Sequence, residues 1–225
     1  MANLVVEKIG KEYPTRDKPL VILRRASFEL SAGENLAILG PSGSGKSTLL
    51  HIIGGMDPPT NGTVKLDGQD PYELGESDLA SFRNKNVGFI FQEHHLLPQL
   101  SVLENVLVPV MAENDIDASS VQRAKELLDR VGLADRLDHR PAELSGGERQ
   151  RAAVARSLIR GPQIILADEP TGSLDRANAQ SVAKLLIGLQ QQEKAMLVVV
   201  THSHEIALLI DRRVEINEGR LRDAE

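Results

Sequence analysis

An α/β fold is predicted, with a mostly parallel sheet, an antiparallel β subdomain on the N-terminal side and an inserted helical subdomain. Three observations predict it. Short β-rich runs alternate with helical ones along much of the chain. The early strands follow one another without helices between them, which makes that part antiparallel. From about residue 101 to 159 the signals are helical, with no convincing strand.

In order along the chain, LVVEKI (4–9), VILRRASFEL (21–30), NLAILG (35–40), TVKL (63–66), VGFIF (87–91), QIILAD (163–168), AMLVVVT (195–201) and RVEI (213–216) read as strands. The most apolar stretches, LAIL, IILA and LVVV, belong in the buried centre of a parallel sheet. TLLHIIGG, after the third strand, reads as a helix. In the middle block, Ser101 and Glu104 have capping-box spacing ahead of an apolar run. In SVQRAKELLDRVGL, Val121, Ala124, Leu128 and Val131 recur at helical spacing, and Gly132 is a natural stop. One domain over 1–225 follows, with residues 1–91 and 160–225 forming the core with its β subdomain and 92–159 a loop and the helical subdomain. There are no repeats or low-complexity tracts.

The chain has 225 residues and a formal net charge of -6, with both signs mixed along its length, so no nucleic-acid partner is expected. It has no cysteine, which excludes thiol chemistry and fits a reducing compartment. No run approaches the ~18 apolar residues of a membrane span, and MANLVVEKIGKEY lacks the features of a secretory signal.

The strongest chemical signal is GPSGSGKST, comprising Gly40, Pro41, Ser42, Gly43, Ser44, Gly45, Lys46, Ser47 and Thr48. It follows an apolar strand and opens a helix, the context that G-x-x-x-x-G-K-[ST] requires. Glycines let main-chain N–H groups turn toward phosphate oxygens, and the helix N-terminus adds positive potential. Lys46 is spaced to reach β- and γ-phosphates and Ser47 to bind Mg²⁺. A P-loop core that holds β- and γ-phosphates with Mg²⁺ is therefore expected. ILADEP ends a buried strand in Asp168, a candidate for the Mg²⁺ hydration shell, and Glu169, a candidate base for the attacking water. Taken alone, such a pair is only a polar strand end; the phosphate loop gives it meaning.

LSGGERQR opens another helix. Ser145 and Glu148 again have capping-box spacing, which ordinary capping would explain. Gly146 and Gly147 in the first turn cost about 1 kcal/mol each relative to Ala, however, and close approach of a phosphate to bare backbone would justify them.

Taken together, GPSGSGKST, Gln92, LSGGERQ, ILADEP, SLD (173–175) and His202, in this order, resemble an ATP-binding cassette ATPase over essentially the whole chain. The resemblance implies a RecA-like P-loop NTPase core with ATP and Mg²⁺ as cofactors, and two chains packed head to tail, with ATP held between the phosphate loop of one and the LSGG helix of the other. It implies that Tyr13 stacks on adenine, that Asp175 couples the two pockets, that Gln92 senses Mg²⁺ and the attacking water, and that His202 reaches the γ-phosphate. The alternative for Tyr13 is a surface tyrosine near a turn, and for His202 a capped or core histidine.

QEHHLLP, Gln92 to Pro98, raises the question of its two histidines. Adjacent residues face opposite ways on a strand and do not face each other on a helix, so His94 and His95 are poorly arranged to share a metal. An exposed Leu-Leu-Pro patch calls for a partner, the alternative being a loop buried against its own helical subdomain; in the resembling family this region receives the membrane subunits. GFIFQEHHLLPQLSVLENVLVPV with LADEPTGSLD narrows the resemblance to the lipoprotein-releasing branch, with macrolide-export and cell-division cassettes as near relatives. Ser173, where such relatives often carry Asn, is a small departure. The branch implies a peripheral ATPase at the cytoplasmic face of the inner membrane, homodimeric when ATP is bound and docked on integral permease subunits through about Gln92–Pro98. The alternatives are efflux and a regulatory ATPase of a division or cell-wall complex.

Overall fold

The structure, a computed structural model, describes residues 3–113 and 116–224. Two sheets form its frame. The smaller joins β1 (Asn3–Tyr13), β2 (Leu20–Ser31) and β4 (Asn61–Leu66) in the order β2-β1-β4, antiparallel throughout. The larger runs β5-β6-β7-β3-β8-β9 and is built from β3 (Asn35–Leu39), β5 (Val87–Ile90), β6 (Ile164–Asp168), β7 (Met196–Thr201), β8 (Arg212–Asn217) and β9 (Arg220–Asp223). It is parallel from β5 through β8, and β9 turns back as an antiparallel edge.

The central strands lack a polar face because both of their faces are covered. Along β3, Leu36 and Ile38 enter one core cluster while Ala37 and Leu39 enter the other. Ile164 and Leu166 alternate in the same way with Ile165 and Ala167 on β6, as do Val198 and Val199 on β7. This is the period of two expected of a strand buried on both sides. One layer comprises the small sheet and α1 (Lys46–Ile53), and α2 (Glu76–Asn86) adds Phe82 to it. The other comprises α3 (Val102–Met111), α4 (Ala118–Arg130), α5 (Gly146–Leu158) and α6 (Arg176–Glu193), while the short α7 (His204–Ala207) adds Ala207.

The three middle helices α3, α4 and α5 start on closed capping boxes at Ser101–Glu104, Asp117–Ser120 and Ser145–Glu148. Gly132, just past α4, has φ +71° and ends it as its position predicts. Ion pairs fasten this bundle to the core: Arg123 and Arg130 of α4 both reach Glu193 of α6, at 2.8 and 2.6 Å. Among the described residues no helix is long and apolar enough to cross a membrane.

The loop after β5 departs from the sequence reading. Phe91, expected within the strand, lies just outside it, and His94 and His95 occupy neither strand nor helix. Both take positive φ, 62° and 47°. His94 is buried, and His95 lies edge-on to Phe91 with ring centroids 4.8 Å apart. The expected Leu-Leu-Pro patch is only half exposed: Leu96 packs on the helical core, while Leu97 and Pro98 face solvent.

Candidate nucleotide site

The loops after β3, β5, β6 and β7 leave neighbouring strands at their carboxyl ends, where open α/β sheets gather their ligands. They meet in one cleft of ≈ 1020 Å³, onto which Lys46, Ser47, Gln92, Asp168, Glu169 and His202 all open. Residues separated by as many as 156 positions in sequence thus share one space because four parallel strands end together.

The phosphate loop has its glycines where substitution would break it. Gly40 has φ +153°, and a Cβ there would lie 2.9 Å from the Ile216 carbonyl oxygen. Gly45 has φ +101°, and its Cβ would press on Ile22 and Leu23 at 2.9 and 3.0 Å. No side chain caps the first turn of α1, so its leading N–H groups remain available to an anion. Lys46 is buried and folds back over the loop, its Nζ donating to the carbonyls of Gly40 at 2.8 Å and Pro41 at 3.0 Å.

Across the cleft, Ser47 Oγ donates to Asp168 Oδ1 at 3.0 Å, which pairs two hard oxygen ligands at the foot of the loop. Among the described residues no three His, Asp or Glu side chains gather as a metal cluster. The donor set suits a small cation that takes its remaining ligands from water and phosphate. Glu169 has φ +45°, a costly conformation outside glycine that swings the residue off the strand end. Its carboxylate accepts from Thr201 Oγ1 at 3.1 Å and from the His202 main chain at 3.3 Å, and lies 2.9 Å from His202 Nδ1. Gln92 reaches the turn after β6, where a Cβ on Gly172 would lie 3.1 Å from its Nε2.

Ser42, Gly43 and Thr48 of the loop also line this cleft, whereas Tyr13, Ser145, Gly146, Gly147, Glu148 and Asp175 do not. Ser145 and Glu148 exchange hydrogen bonds at the start of α5, and this holds Glu148 far below the usual carboxylate range, at about 2. The Ser145 N–H and hydroxyl are the main cause, and Arg136 adds to it. The two glycines are not required by internal packing: a Cβ on Gly146 would meet Leu174 at 3.5 Å, and one on Gly147 would meet Asn178 at 3.4 Å, both ordinary contacts. Asp175 caps α6, accepting from the N–H groups of Ala177 and Asn178 at 3.1 Å each. The α5 start thus lies against the segment 174–178 that holds Asp175, and none of these residues lines the cleft. Tyr13 ends β1 with its hydroxyl donating to Asp57 at 2.6 Å.

The ABC transporter family profile matches residues 23–172 of this geometry. The chain belongs to the ABC transporter family. It is 51% identical over 218 residues to the "Lipoprotein-releasing system ATP-binding protein LolD 1" of Rhodopirellula baltica, spanning 97% of this chain and 95% of that one. It is 47% identical over 220 residues to the LolD of Shewanella frigidimarina, spanning 98% and 92%. Among solved structures it resembles the ATP-binding cassette MJ0796 in a dimeric post-hydrolysis state bound to ADP and Pi. There the TM-score is 0.89 and the identity 35%, with 99% of this chain and 97% of that chain covered.

The chain is therefore a nucleotide-binding, ATP-hydrolysing enzyme with the RecA-like core and helical subdomain of an ABC ATPase. Several residues that build this ABC ATPase site carry no motif. Arg156 of α5 donates to the carbonyls of His94 and His95, each at 2.6 Å, and so ties the Gln92 loop to the helix that begins at LSGG. Two successive residues of positive φ thus present their carbonyls to one guanidinium. Arg156 gave no sequence signal because it grips main chain; the double histidine marks the site of the grip without naming the gripping residue. Thr201, which holds Glu169, sits at a strand end that reads as core.

Proposed function

We propose that ATP hydrolysis by this ABC ATPase drives release of lipoproteins from the inner membrane toward a periplasmic carrier, from a peripheral position on the cytoplasmic face. The observation that carries the reading is the 51% identity to the lipoprotein-releasing relative across 97% of the chain. The exposed Leu97–Pro98 end of the Gln92 loop, on the face that would meet integral permease subunits, supports it.

The chemistry is assigned to this chain's residues as follows. Lys46 leaves the Gly40 and Pro41 carbonyls for the β- and γ-phosphates, while the uncapped α1 N–H groups bind their oxygens. Ser47, Asp168 and Gln92 would hold Mg²⁺, which would neutralise charge on those oxygens. Glu169 orients the attacking water and takes its proton, and His202, already 2.9 Å from that carboxylate, reaches the γ-phosphate. Tyr13 stacks on adenine. A second copy supplies Ser145, Gly146, Gly147 and Glu148 to the far side of the triphosphate, and Asp175 couples the two pockets. The dimeric state of the 35%-identical cassette supports this pairing.

The test is co-purification from membranes, together with ATP-dependent release of an acylated lipoprotein from vesicles holding the co-purified subunits. The expected partner is an integral lipoprotein-sorting subunit. Leu97→Ser should weaken that complex about tenfold, from the loss of a buried leucine contact, while leaving nucleotide affinity as it was. Recovery of division proteins or ribosomes instead, with no release, would overturn the reading.

A further inference from the structure

Tyr13 belongs to a small cluster no motif announces. Its hydroxyl donates to Asp57 Oδ2 at 2.6 Å. The other oxygen of Asp57 takes the ammonium of Lys11, whose side chain is only 9% exposed. That ammonium also donates to the Pro58 carbonyl at 2.7 Å and stands 4.8 Å from the centre of the Tyr13 ring. Asp57 is itself anchored, since its main-chain carbonyl accepts from the buried-side hydroxyl of Tyr72 at 2.7 Å. It lies in the turn that follows α1, the helix opened by the phosphate loop. Thr48, which lines the phosphate cleft, is a further neighbour of the Tyr13 hydroxyl. One carboxylate thus connects the end of the phosphate helix to an aromatic ring whose hydroxyl neighbours Thr48.

An exposed tyrosine at a strand end would ordinarily exchange rotamers, and a ligand stacking on it would have to immobilise it. Here the ring is held beforehand at its hydroxyl. The Lys11 ammonium attends one side of the ring and draws on its π density, leaving the other side for an electron-rich base. The Asp57 hydrogen bond, with burial and its negative charge, raises the Tyr13 hydroxyl above its ordinary value.

We propose that Asp57 and Lys11 are positioning residues that fix the Tyr13 ring as a nucleobase platform and thereby set the preference for a nucleotide over a bare polyphosphate. The proposal rests on the reading of Tyr13 as the adenine-stacking residue.

The experiment measures dissociation constants of the full chain for ATP and for inorganic tripolyphosphate, both with Mg²⁺, alongside thermal melts. Tyr13→Ala should weaken ATP about tenfold, in line with one lost base–aromatic stack, and leave tripolyphosphate unchanged. Asp57→Ala should weaken ATP roughly threefold to tenfold, a part or the whole of that stack, again sparing tripolyphosphate, and should add nothing to Tyr13→Ala in the double variant. If Asp57→Ala does not fold, Asp57→Asn, which keeps an acceptor but loses the charge that holds Lys11, is read by the same comparison. If Tyr13→Ala fails to distinguish the two ligands, the stacking assignment falls and the proposal with it. If Tyr13→Ala distinguishes them but the Asp57 variant weakens both equally or neither, the positioning role alone is overturned.

Discussion

The first turns of α1 and α5 both have glycine at the helix start, Gly45 as N-cap of one and Gly146 and Gly147 opening the other, yet they are closed in opposite ways. At α1 the N-cap is Gly45, no side chain caps the turn and no acidic residue lies in it; Lys46 is its first residue. At α5 the N-cap Ser145 accepts from Glu148 N–H, and Glu148 returns a carboxylate oxygen to Ser145 N–H. A helix start with unpartnered N–H groups and an ammonium beside it is an anion site by itself. A start that already carries its own carboxylate has spent much of that potential internally. The second turn is therefore stable alone but weak as a phosphate site, suited to completing an anion that something else already holds.

Removing the charge that distinguishes the first turn gives the largest expected effect. Lys46 is the one Lys or Arg on the phosphate cleft among the described residues. Lys46→Ala should lower nucleotide affinity by roughly a hundredfold or more, as loss of charge-assisted contacts to two phosphates implies, in titration with a fluorescent nucleotide. A variant that binds as before would mean that α1 is no more an anion site than α5. Next comes Glu169→Gln, which should leave binding intact and slow hydrolysis by about 10²-fold or more. It should also let nucleotide-bound pairs accumulate in size-exclusion chromatography, because the completing turn of the second copy stays engaged. Unchanged turnover would remove Glu169 from the role of base.

The two starts were not equally legible in the sequence. The phosphate loop announced itself because its chemistry lies in consecutive residues whose spacing is the mechanism. The LSGG start was legible as a cap, and its glycines stood out only because helices disfavour them. The central strands were readable from unbroken apolar runs, whereas β9 was not: RLRD is short and mostly charged at a sheet edge, where nothing need be buried on both sides. Helix α2, with Phe82 as its one buried residue, lacks the apolar stripe that periodicity detects. The contacts that hold the site escaped for another reason. Arg156, Thr201 and Asp57 act across distances in sequence of 62, 32 and 44 residues, on a main-chain carbonyl or on another side chain, and no local pattern encodes such pairs.

Gly146→Ala separates internal packing from an external ligand at α5. Its Cβ would meet only ordinary contacts, so the folded state should be unchanged or more stable by up to about 1 kcal/mol from helix propensity. Hydrolysis should nonetheless fall about tenfold, because a methyl group then stands where a phosphate must approach the backbone and a displacement of about 1 Å can cost as much as 10²-fold. A melt paired with a steady-state rate decides it. Full activity in a stabilised variant would return the glycines to ordinary capping and erase the contrast with α1.

The smallest effect concerns the carboxylate that α5 has and α1 lacks. Glu148 is held at about 2 when folded, against an ordinary value of 4.5. A carboxylate depressed by folding contributes stability that is fully present above its unfolded value and is lost as pH falls through its folded value. The advantage of the native chain over Glu148→Gln should therefore be flat from neutral pH down to near 4.5, at about 1 kcal/mol, the usual size of an N-terminal cap. It should then shrink between 4.5 and about 2. Urea midpoints at several pH values across that window test this. Curves that stay parallel down to the lowest pH would mean the Ser145–Glu148 exchange is no stronger in the folded protein than in water. The positive end of α5 would then be as free for an anion as that of α1, and the second site would not need a partner to complete it.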